Sequence, residues 1–185
     1  MNYSPKHTDN TVRALYLGLF ALALITILFG GEGARGITFT CVSLVSIVSG
    51  LYLLMRFELT TYSYVMNAKE NDFEFFVNKA VGKRGNYVCF YMVSDIVRFE
   101  KYSSEVRDTL KKDYQRISFY NYTHNLFKEE KSVIVFKNSE HYDAVIIEAD
   151  QAYSEYIKNA IELTKQAKSQ ESKIDLDDDE MINIE

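Results

Sequence analysis

The sequence predicts an α+β membrane protein: a two-helix transmembrane hairpin, then a seven-stranded β-barrel or sandwich closed by a C-terminal helix. Three observations predict it. Two apolar runs, Val12–Gly30 and Ile37–Met55, are each 19 residues long and hold one charge between them, Arg13, at the outer edge of the first. Short segments rich in Thr, Tyr, Phe and Val then alternate with polar turns from Phe57 to Ala149. Finally, Tyr153, Tyr156, Ile157, Ala160, Leu163, Thr164 and Ala167 form one apolar stripe at helical spacing.

About twenty apolar residues rising 1.5 Å each span a hydrocarbon core of roughly 30 Å. The residues between the two runs, GGEGARG, contain G-x-G-x-x-G from Gly31 to Gly36. That pattern cradles a pyrophosphate only between a buried strand and a helix, with an acid about twenty positions on. Here long apolar runs flank it, and Tyr52 to Arg56 include no acid. The stretch is therefore read as the polar turn of the hairpin. The first run exceeds the roughly 7–15 residues of a signal-peptide core and a second follows at once, so a retained hairpin is expected.

Lys6, Arg13, Arg56 and Lys69 flank the hairpin, against Arg35 alone in its turn. Basic residues stay on the cytoplasmic side, which predicts a multi-pass protein of the cell membrane with both termini and the soluble domain cytoplasmic. Ala14 and Gly18 on the first helix, and Ser46 and Gly50 on the second, are small residues four apart, the spacing that lets helices pack closely. No Asp, Glu, Lys or His lies mid-span, so the hairpin alone offers no proton relay or ion path.

The net charge of −5 is uneven. The last fifteen residues hold seven acids against Lys173, and the acidity belongs to this tail. Nothing suggests a nucleic-acid binder. Cys41 and Cys89 form no disulfide framework and have no metal-ligand spacing; each is read as a small buried hydrophobe.

The expected divisions are a cytoplasmic tail (1–11), the hairpin (12–55, spans 12–30 and 37–55), the soluble domain (57–168) and a disordered acidic tail (169–185). Within the domain, strands are expected in FELTTYSYVM, DFEFFVNKAV, NYVCFYM, SDIVRFEKY, ISFYNYT, KSVIVFK and YDAVIIEA. SSEVRDTLKKDYQR reads as a loop or short helix, and Asp150 as the cap of the last helix. Phe73, Phe75, Phe90, Phe119 and Phe136 are expected to fill the interior.

Seven strands and one amphipathic helix, after a two-helix hairpin, resemble small bacterial membrane proteins with a pleckstrin-homology-like (PH-like) domain. The resemblance covers roughly residues 12–167. It is carried by F-E-L-T-T-Y-S-Y, F-F-V-N-K-A-V-G-K-R, V-S-D-I-V-R-F-E-K and Y-D-A-V-I-I-E-A-D. Eukaryotic PH domains typically keep a tryptophan in the last helix; this chain has none, so Tyr153 or Tyr156 would take that packing role.

Catalytic signals are sparse. His7 lies in the N-terminal tail, and His124 and His141 fall in expected solvated turns, with no G-x-S-x-G nucleophile motif. DLDDDE lacks the glycine and flanking helices of a calcium loop. No catalytic residue, cofactor or metal is expected. Lys79, Lys83 and Arg84 around one turn, and Arg107, Lys111, Lys112 and Arg116 in the long loop, are candidates for anionic-lipid headgroup contact. The turn of the first strand pair, NAKEND, is too acidic to support inositol-lipid binding. Tyr120 and Tyr122 share a strand face and are candidates for a partner surface. The functional expectation is a non-catalytic, membrane-anchored scaffold presenting its domain to a protein partner or to another copy of itself. Two alternatives stay open: an accessory subunit of a transporter- or secretion-type complex, or anionic-lipid binding by the basic loops.

Overall fold

The structure is a computed structural model that describes residues 1–5, 10–31, 33–125 and 131–182. It is α+β, with two long apolar N-terminal helices and two four-stranded sheets. Helices α1 (Asn10–Phe29) and α2 (Ala34–Leu53) both meet the length and composition needed to cross a membrane. A π-helical turn, Leu54–Leu59, continues α2 directly into β2 (Thr60–Lys69). The strand expected from Phe57 thus begins only at Thr60.

The first sheet is antiparallel, in the order β1-β2-β3-β4, with β1 at Asn2–Tyr3, β3 at Asp72–Val81 and β4 at Arg84–Met92. β1 was not expected from the sequence: a two-residue strand carries no periodicity. It pairs Asn2 with Val65 and Tyr3 with Tyr64, and the Met1 amino group donates to the Met66 carbonyl. The second sheet holds β5 (Ile96–Lys101), β6 (Ile117–Asn121), β7 (Lys131–Asn138) and β8 (His141–Glu148), in the order β5-β7-β8-β6. β6 runs parallel to β8. β5 and β6, at opposite edges, therefore also run parallel, and the crossover between them includes α3 (Ser104–Asp113), where the sequence left loop and short helix open. Ser103 caps it by accepting from the Val106 amide at 3.2 Å.

The inner faces of the two sheets meet over Tyr64, Met66, Phe75, Val77, Phe136 and Ile147, and α4 (Gln151–Ile182) closes this core with Tyr153, Ile157 and Ala160. Asp150 caps α4, accepting from the Tyr153 amide at 2.8 Å. On the other face of the second sheet, Leu110 of α3 packs against Val133, Val135, Ala144 and Ile146. Covered on both sides, β7 and β8 are apolar at consecutive positions rather than alternate ones. Phe75 and Phe136 fill the main core and Phe119 packs under α3.

Phe90 does not point inward as the alternation suggested. It is 52% exposed and lies on the outer face with Phe76, 5.0 Å between ring centroids. The register shifts between Val77 and Asn78, which leaves Val88 unpaired and turns Cys89 and Tyr91 inward. α4 also continues past Ser169, through residues where the sequence suggested a disordered tail, to Ile182.

The helix pair makes its contact through Val12, Tyr16, Ala23 and Thr26 of α1 and Ser43, Ser46 and Gly50 of α2. The Thr26 and Ser43 hydroxyls hydrogen-bond across it at 2.6 Å. A Cβ on Gly50 would come within 2.9 Å of the Phe20 ring, so the missing side chain is what seats that ring. Ala14 and Gly18 lie on the exposed face instead. With Gly50 small, α1 can bring large side chains to the contact and needs no small pair of its own.

Tyr64 ties the sheets together. Its hydroxyl donates to the Tyr122 carbonyl at 2.9 Å and accepts from the Glu148 amide at 3.1 Å. Tyr64→Phe strands both groups inside the protein, a loss of about 1–3 kcal/mol. Urea unfolding of the detergent-solubilised protein, followed by far-ultraviolet circular dichroism, should show a lower midpoint at unchanged slope.

Candidate functional site

The junction between α2 and the sheets gathers the most unusual side chains. The π-helical turn carries Arg56 one turn beyond Tyr52. The Arg56 guanidinium carbon lies 5.2 Å from the Phe57 ring centroid and 5.1 Å from that of Tyr62. Its Nη2 donates to the Asn121 carbonyl at 3.3 Å, whereas Nη1 is shielded from solvent and has no hydrogen-bond partner among the described residues. The Thr60 hydroxyl closes the turn on the Met55 carbonyl at 2.7 Å. The Gly82 amide reaches the Leu59 carbonyl at 3.2 Å, which holds the β3–β4 turn at the end of the helix. Gly82 adopts φ +61°, the left-handed conformation that this tight turn requires.

Register then places the cations. Lys79 sits opposite Tyr62, and Arg84 opposite Val81. Phe75, Val77, Lys79 and Val81 share one strand face, so Lys79 lies at the end of the core-facing row. A lysine there is accommodated when its stem runs over apolar surface and its ammonium reaches water. The Tyr122 ring stands 5.8 Å from that of Tyr62, and the Tyr120 ring 6.3 Å from Tyr122. Burial raises the Tyr62 phenol pKa against the opposing pull of Arg56, and pushes that of Tyr122 up to about 12. Both remain neutral hydroxyls at physiological pH.

The residues singled out in the sequence therefore separate. Lys79 and the Tyr122 ring lie beside Tyr62 and Tyr120 stacks on Tyr122, while Arg84 stands two strands from Tyr62, opposite Val81, with Lys83 exposed in the adjoining turn. Arg107, Lys111 and Lys112 belong to α3, on the other face of the second sheet. There the Arg107 guanidinium lies 5.3 Å from the Phe119 ring centroid. Arg116 pairs with Glu140 at 3.3 Å. Sequence reasoning missed Arg56 and Tyr62 as site residues. A signal was present in Arg56, the first charge after the second apolar run.

His124 is not a solvated turn residue: it is 2% exposed. It lies in a segment held by the buried Glu148 carboxylate, which accepts from the Asn125 backbone amide and, at 2.7 Å, from Asn125 Nδ2. His141 begins β8, with Nε2 3.6 Å from Asp143 Oδ2. Asp143 is itself buried and accepts from Tyr91 and from Asn138, both at 3.1 Å. Among the described residues, no three His, Cys, Asp or Glu side chains gather as a metal site.

A second concave surface runs between β5 and α4. β5 pairs with β7 on one edge only. Beside its open edge, Ile96, Phe99 and Ile161 form an apolar floor. Lys101, Lys158 and Lys165 stand along the rim with Glu100 and Glu162 among them. No family model, curated protein or solved structure matches the chain.

Burial pushes the Cys89 thiol pKa up to about 12. Its thiolate is scarce below that pH, and the thiolate is the reactive form. Iodoacetamide at pH 8 should leave Cys89 unmodified in the folded protein and label it after denaturation, as peptide mass spectrometry would show.

Proposed function

We propose that this chain is a non-catalytic, membrane-anchored binding module. Its two apolar helices span the cell membrane, and its PH-like domain stands on the cytoplasmic face to hold a protein partner. One observation carries the reading: the open β5 edge lies beside α4 over an apolar floor with a lysine rim. An extended peptide adding to such an edge gains main-chain hydrogen bonds, while flanking pockets select its side chains. The lysines favour an acidic segment by charge complementarity.

The architecture supports the anchoring half. Arg13 and Glu58 pair through two hydrogen bonds, of 2.6 and 3.0 Å, so the start of α1 and the end of α2 lie side by side. Both ends of the hairpin then leave on the domain's side, in keeping with the cytoplasmic bias of the flanking charges. The closing helix and the two-sheet core support a PH-like domain, with the parallel β6–β8 pair as a departure.

The full-length protein, cross-linked in its own membranes, would be captured beside a version whose hairpin is replaced by an unrelated one. The same soluble partner should be retained by both. Lys158→Glu combined with Lys165→Glu should lower its recovery about tenfold. A membrane complex captured only by the native hairpin would instead make the chain an accessory subunit whose helices carry the specificity.

A further inference from the structure

We infer that the junction around Arg56 is a binding site for the phosphate of an anionic lipid headgroup, taken from the leaflet in which the hairpin is anchored. This rests on the membrane-spanning reading above, but concerns a surface separate from the β5–α4 groove.

Depth is the first support. The Arg13–Glu58 pair marks where the apolar surface of both helices ends. Tyr52, six residues before Glu58 and so inside that level, is 65% exposed, as expected of an interfacial tyrosine. Arg56 and the Gly82 turn lie at or just beyond it, where headgroups extend the bilayer from about 30 Å to about 40–45 Å in total.

Chemistry is the second. Arg56 makes one hydrogen bond, from Nη2 to the Asn121 carbonyl, and no ion pair among the described residues. Its two ring neighbours hold it in position, and its planar fork suits a phosphate. Lys79 adds a second cation from the strand opposite Tyr62, and Arg84 a third from β4. Neither makes an ion pair among the described residues. Glu58, the acid two residues from Arg56, is committed to Arg13. The junction thus has an excess of positive charge at the depth where lipid phosphates lie. α3 has a comparable number of cations on a different face.

The test uses full-length protein in detergent, titrated with phosphatidylglycerol or phosphatidylcholine of identical acyl chains and read by native mass spectrometry. One phosphatidylglycerol should be retained per chain, with at least about tenfold preference over phosphatidylcholine. The double variant Lys79→Gln and Arg84→Gln, which leaves the buried core untouched, should reduce that preference to near unity, as should Arg56→Gln. Arg107→Gln with Lys112→Gln on α3 should leave it unchanged. Equal retention of the two lipids, or a preference that survives the Lys79 and Arg84 changes, overturns the inference. So does soluble glycerol phosphate binding as tightly as the lipid. Carbonate extraction separates the readings: a protein that washes off membranes refutes the anchor itself, whereas one that stays but shows no lipid preference refutes only this site.

Discussion

No linker separates the helical hairpin from the sheets. α2 passes through its six-residue π-helical turn into β2 with no residue between the elements, and the turn is held from four sides: by Arg13, by the Asn121 carbonyl, by the Gly82 amide and by the Thr60 hydroxyl. Below it, Phe57 packs into the foot of the hairpin with Val12 and Tyr16. A flexible connection would let the domain sample many orientations relative to the helices. This one fixes the direction of β2, and β2 fixes the rest of the first sheet through its register.

The placement of polar groups inside the domain follows from how the sheets are covered. A sandwich whose second sheet is covered on both faces must satisfy its buried amides and carboxylates internally. Tyrosine does much of this, because one residue supplies both apolar area and a hydroxyl tip. Tyr64 joins one sheet to the other, and Tyr91 donates to one carboxylate oxygen of Asp143. Glu148 is fully buried at the end of β8, and Asn125 brings two donors to it. The abundance of tyrosine in the sequence is therefore largely internal engineering, with only a subset left for a surface.

Most elements were legible because their signals are local. Alternation located β3, short apolar runs between polar turns located β7 and β8, Asp150 marked the start of α4, and the two apolar runs marked α1 and α2. What escaped notice depended on contacts between distant residues. The pairing of β1 is set by β2, and the parallel β6–β8 pair by how α3 crosses the sheet. The bulge at Val88 reversed Phe90 because one extra residue flips every side chain beyond it. Ala14 and Gly18 matched a packing motif, yet the face that contacts α2 is chosen by where Phe20 meets Gly50. The site was half legible: Lys79 and Arg84 stood out as charges and Tyr120 and Tyr122 as aromatics, but only the fold joins them through Tyr62 and Arg56.

The pairing of β1 with β2 bears on how the chain can be threaded. The two strands are hydrogen-bonded neighbours in one sheet, yet both apolar helices lie between them in the chain. An odd number of crossings would leave them on opposite sides of a bilayer, and the sheet could not form. On the membrane-spanning reading proposed above, the first sheet acts as a parity check on insertion: only a hairpin that goes in and comes back brings β1 to β2, and a misthreaded chain is left with an unpaired strand.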